Sequence, residues 1–88
     1  MGEASRKVEG GKLVKVKVED NSVTILGDFF MHPEESIEGL ERRIAKVIDS
    51  ETEYIESEIR DYFEENKVRL LGASPRDIAE LVSEATKK

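Results

Sequence analysis

Apolar and charged residues alternate from Lys12 onward. Leu13, Val14, Val16 and Val18 interleave with Lys15, Lys17 and Glu19, which puts three valines on one face and the lysines on the other. This spacing predicts a half-buried strand whose second face meets water. Asp20-Asn21-Ser22 is a turn signal, and Val23 to Leu26 reads as the returning strand of an antiparallel hairpin. Phe29-Phe30-Met31 either prolongs that strand or leaves it. Ahead of the hairpin, residues 1–10 read as a flexible arm that runs into the Gly10-Gly11 pair.

The period then changes to that of helices. His32-Pro33-Glu34-Glu35 reads as a helix start, because proline suits the first helical position and acids suit the positive end of the helix dipole. Ile37, Leu40, Ile44, Val47 and Ile48 follow at helical spacing. Ser50 and Glu53 have the spacing of a capping box for a second helix, with Tyr54, Ile55, Ile59, Tyr62 and Phe63 along one side. That helix ends near Asn66-Lys67. Val68 to Leu71 reads as a short extended connection, and Gly72 breaks it. Ser74-Pro75-Arg76-Asp77 begins a third helix, with Ile78, Leu81, Val82 and Ala85 as its buried face. Strands first and helices after predict an α+β fold, a small antiparallel sheet built on the N-terminal hairpin with three helices packed on one side.

Composition narrows the function more than the fold. The 88 residues suffice for one domain with a modest core, and residues 11–88 are expected to form it. Charged residues make up 39% of the chain and the net charge is −6, which disfavours nucleic acid and the unaided binding of nucleotide phosphates. There is no cysteine, so disulfides, thiolate metal ligands and a cysteine nucleophile are excluded together, and a reducing cytoplasmic setting fits. No apolar run is long enough to span a membrane, and the first nine residues lack the apolar stretch of a signal peptide.

Candidate chemistry is sparse. His32, the one histidine, stands beside Pro33 where a polar cap or loop residue is expected; its other reading is a general base. No second histidine exists to build a metal site with it. Glu51, Glu53, Glu56, Glu58, Glu64 and Glu65 decorate the second helix as a solvated face, the alternative being paired carboxylates for acid–base work. Gly10-Gly11-Lys12 lacks the full phosphate-loop pattern and precedes a strand, not a helix. Gly27-Asp28 is either a turn that sends two aromatics into the core, or the start of a docking element in which Asp28 and one phenylalanine face a partner. No catalytic, cofactor-binding or metal-binding residue is assigned.

The run Gly11 to Glu19, the turn, Val23-Thr24-Ile25-Leu26 and then Gly27-Asp28-Phe29-Phe30 resembles the C-terminal accessory domain of lipoate–protein ligases. Gly72-Ala73-Ser74 resembles the glycine-x-serine pair before that domain's last helix, so the likeness spans roughly Gly10 to Ala85. Met31-His32-Pro33 departs from the glycine that commonly follows the aromatic box in fused members. The chain lacks the substrate motifs of the catalytic domain and begins at its own Met1. It therefore resembles the separately encoded small subunit of an archaeal two-component ligase.

That resemblance implies a non-catalytic subunit in a heterodimer with the catalytic subunit. The enzyme would use ATP to activate lipoate to lipoyl-AMP, then pass the lipoyl group to a lysine of lipoyl domains in 2-oxoacid dehydrogenases and the glycine cleavage protein. ATP, Mg and lipoate would all act in the catalytic subunit, and the isolated chain would be inactive. Lys12, Gly27, Asp28, Phe29 and Phe30 are the expected partner interface. A stand-alone interaction or regulatory module, or a small enzyme using His32 and Asp28, are the rival readings.

Overall fold

The computed structural model of the chain describes residues 2–8, 10, 12–20 and 22–86. Met1 and Glu9 of the expected arm, Gly11 of the glycine pair, Asn21 of the expected turn, and Lys87 and Lys88 lie outside the described residues. The expected α+β architecture is observed. Strands β1 (Gly2–Lys7), β2 (Leu13–Glu19) and β3 (Ser22–Gly27) form an antiparallel sheet in that spatial order. A separate ribbon pairs β4 (Phe30–His32) with β5 (Arg69–Leu71). Helices α1 (Ser36–Ala45), α2 (Thr52–Asn66) and α3 (Pro75–Thr86) complete the chain.

The hairpin has the expected phase. Val14, Val16 and Val18 of β2 are buried, as are Val23 and Ile25 of β3, where Val16 pairs with Ile25 and Val18 with Val23. This apolar face packs against a helical layer in which Leu40, Ile44, Ile55, Ile59, Ile78, Leu81 and Val82 are fully buried. Each such aliphatic side chain contributes roughly 1.5–3 kcal/mol relative to exposure. Among the described residues no polar or charged residue is buried, so the core holds no group able to do chemistry. No helix of the described residues is long and apolar enough to cross a membrane.

Four expectations need correction. Residues 2–7 are not an arm but strand β1, which pairs with β2 from Gly2 opposite Val18 to Lys7 opposite Leu13. The sequence signal there is weak because the inward positions are Gly2, Ala4 and Arg6. Gly2 lies so close to α3 that a Cβ there would collide with the Ala85 carbonyl, and Arg6 reaches α3 through ion pairs instead of apolar contact. The helix expected at Pro33 starts at Ser36. Residues 30–32 are committed to β4, and a tight turn with Ser36 N–H donating to Pro33 C=O lies between. The Ser50–Glu53 capping box does not form. Ser50 N–H donates to Val47 C=O in the turn that closes α1, and the cap of α2 is Glu51 without a side-chain bond. Tyr54, expected on the buried side of α2, is 52% exposed.

The α3 start is as expected. Ser74 N–H donates to Asp77 Oδ2 at 3.0 Å and Asp77 N–H to Ser74 Oγ at 3.1 Å, a reciprocal capping box with Pro75 at the first helical position.

Ion pairs tie the layers together. Arg6 binds Glu80 and Glu84, Arg76 binds Glu80 and Glu56, and Arg60 binds Glu56, a chain running from β1 across α3 to α2. Arg43 of α1 separately holds Glu58 and Glu65 of α2. The second-helix acids are thus only partly a plain solvated face. Hydrogen bonds from Arg60 and Arg76 hold the Glu56 carboxyl below the usual carboxylate range, Arg43 does so for Glu65, and Arg6 and Arg76 do so for Glu80.

Two outcomes follow. Ser74→Ala should cost about 1 kcal/mol, a fall of roughly 4–8 °C in melting temperature for a domain of this size. The lowered carboxyl values contribute stability that is present above the ordinary value of 4.5 and is lost as pH falls through the folded values. Thermal melts should therefore be flat near neutrality and decline below pH 4.5, and high salt should shrink that decline.

Candidate functional site

The corner where the sheet hands over to the ribbon is built by two glycines around one ring. Gly27 ends β3 opposite Val14, at φ 154°. A Cβ there would collide with the Leu13 carbonyl and lie 2.9 Å from Val14 Cα, so only glycine fits. Asp28 N–H donates to Leu13 C=O at 2.8 Å, which carries the ladder one residue further before the chain turns away. Gly72, at φ 95°, approaches the same turn from β5, with its ideal Cβ position 3.2 Å from Phe29 Cα. Phe29 is held between these contacts and packs half-buried against the core.

Phe30 does the opposite. In the β4–β5 ribbon Met31 pairs with Leu70 and points inward, 5% exposed, so its neighbours in the strand point outward. Phe30 is 54% exposed and its cross-strand partner Leu71 is 64% exposed. One ring of the aromatic pair therefore lies against the core and the other in solvent. Asp28 and Lys12 are exposed on the same corner. Of the expected interface residues, Asp28, Phe30 and Lys12 present side chains to solvent, while Gly27 and Phe29 shape the backbone that displays them.

Three apolar residues belong to this surface and were not singled out from the sequence. Leu26 shares a shallow depression with Phe29, Phe30, Met31 and Ile37. Leu13 lies diagonally from Leu26 across β2 and β3, and Leu71 stands opposite Phe30. A signal existed. Leu13 and Leu26 each adjoin a buried residue, Val14 and Ile25, and so fall out of phase with the alternation that buries the valines.

Among the described residues the candidate chemical groups are not assembled. His32 is exposed on β4, in register with Arg69, and no hydrogen bond among the described residues joins it to Asp28. No three His, Cys, Asp or Glu side chains among the described residues are grouped to hold a metal ion.

No family model and no curated protein matches the chain. A solved structure does: an archaeal lipoylation system from Thermoplasma acidophilum, comprising a bi-partite lipoate protein ligase and its E2 lipoyl domain. The chain is 27% identical to one chain of that structure, with a TM-score of 0.58, over 93% of this chain and 92% of that one. This chain has a ligase-related fold. The coverage leaves little of either chain outside the likeness.

Single substitutions separate the two rings. Phe29→Ala should destabilise the free chain by roughly 2 kcal/mol, about half the cost of deleting a fully buried ring. Phe30→Ala should leave its melting temperature within a few degrees of the parent's. Gly27→Ala should cost more than about 1 kcal/mol, because the alanine Cβ has no room beside Leu13. Equal losses for Phe29→Ala and Phe30→Ala would place Phe30 in the core and contradict the site.

Proposed function

We propose that the chain is the non-catalytic accessory subunit of a heterodimeric lipoate–protein ligase. It is needed when the catalytic subunit activates lipoate with ATP to lipoyl-AMP, before transfer to a lysine of lipoyl domains. The observation that carries this reading is the likeness, over nearly the whole of both chains, to part of a bi-partite lipoate protein ligase system. The sequence resemblance to the accessory domain and the exposed Phe30–Leu71 pair support the same reading. ATP, Mg and lipoate bind to the catalytic subunit, and this chain contributes no reacting group.

Its contribution is positional. In the first step a lipoate carboxylate oxygen attacks the α-phosphate of ATP and pyrophosphate leaves. Closing the partner's site over the reactants excludes water and holds the two in line, which accelerates a bimolecular step without a new catalytic residue. Residues 11–88, with β1 added to their sheet, act as one docking domain. Asp28, Phe30 and Lys12 make the contact, and Gly27 and Phe29 fix its shape. Transfer of the lipoyl group from preformed lipoyl-AMP then needs this chain little.

Lipoate-dependent exchange of pyrophosphate into ATP tests this. Exchange should appear only when the catalytic subunit and this chain are mixed, and transfer from synthetic lipoyl-AMP should proceed with the catalytic subunit alone. Full exchange without this chain contradicts the proposal.

A further inference from the structure

The face of the three-stranded sheet that turns away from the helices differs in charge from the rest of the chain. Glu3 and Lys7 of β1, Lys15, Lys17 and Glu19 of β2, and no charged residue of β3 point to it. Its net charge is thus +1 in a chain of −6. The lysines crowd the end that carries the leucines. Lys7 stands opposite Leu13 and Lys15 opposite Leu26, with Lys12 just before the strand. Leu13 is 43% exposed and Leu26 53%. The acids there are Glu3, bound to Lys15 at 2.7 Å, Glu19 at the far end of β2, Asp28 at the edge toward Phe30, and Glu34 in the depression beside Leu26. Among the described residues Lys7, Lys12 and Lys17 form no ion pair.

An exposed apolar patch bordered mainly by basic residues is the layout of an interface core with its rim. We infer that the open sheet face, with Leu13 and Leu26 at one end, Lys7, Lys12 and Lys15 beside them and Lys17 further along β2, docks an apolar patch bordered by acidic residues on the catalytic subunit. The inference rests on the proposed function and extends it from the aromatic corner to the sheet. Two features favour this occupant. The surface is continuous with the corner, since Leu26 and Phe30 line one depression. Basic charge is also concentrated where the chain is otherwise strongly acidic, which steers an acidic partner to this face and away from the helices.

The experiment is titration calorimetry of the full chain against the catalytic subunit at 50 mM and 500 mM salt. The Lys7→Glu/Lys17→Glu double variant is compared with Lys46→Glu/Lys67→Glu, which makes the same change in net charge on the helical layer. Melting curves first establish that both variants fold. The sheet variant should bind about tenfold more weakly, the helical variant should bind as the parent does, and raising the salt should weaken the parent complex. A complex that forms but responds to neither the sheet variant nor salt overturns the inference and leaves the accessory role standing. Equal weakening by both variants also overturns it, as a net-charge effect. No complex with the parent chain overturns the accessory role itself. Self-association of the free chain, or sedimentation with anionic lipid vesicles, that the sheet variant abolishes would assign the face to another occupant.

Discussion

The buried face of β2 is the constraint on which the rest depends. Val14, Val16 and Val18 are shielded almost wholly from water, and a single hairpin cannot shield them. Two strands flank β2 and the helices lie across its inner face, so each outer element is placed by what it adds to that cover. Strand β1 adds little apolar surface, and its place is secured by the close approach of Gly2 to α3 and by Arg6 bound to Glu80 and Glu84. Because all the apolar weight goes to one side, the other face of the sheet is left open. The leucines on that open face follow from no requirement of folding.

The corner at Gly27 shows how the same constraint produces a surface. The sheet must end where β3 runs out of residues to cover β2, and the close approach to Leu13 forces a glycine there. The next residues cannot continue the ladder beyond Asp28, so they cross to pair with β5. Period-two alternation then requires that, of Phe29, Phe30 and Met31, the middle residue point outward. Phe29, packed against the core, and Met31, 5% exposed, anchor the backbone on either side of the exposed Phe30.

The sequence was most legible where burial repeats with a clean period. The valines of β2 and the Ile78, Leu81, Val82 and Ala85 stripe of α3 could be read directly, as could the Ser74–Asp77 cap. It was least legible where pairing is decided by distant residues. Residues 30–32 have helix-start chemistry beside them, yet they pair with residues 69–71, which local pattern cannot reveal. Strand β1 is held by polar and backbone contacts that carry no apolar period. At the site, Gly27 to Phe30 stood out as a motif, while Leu13, Leu26 and Leu71 emerged only once the register was known.

On the proposed function, the working part of this chain is an exposed apolar corner and not a pocket. Amide hydrogen exchange, measured on the free chain and on its mixture with the catalytic subunit, reads this most directly. Added protection should fall on residues 26–31 and 69–72 and leave the outer face of α2 unchanged. Protection confined to α2, with the corner exchanging as it does in the free chain, would place the docking surface elsewhere.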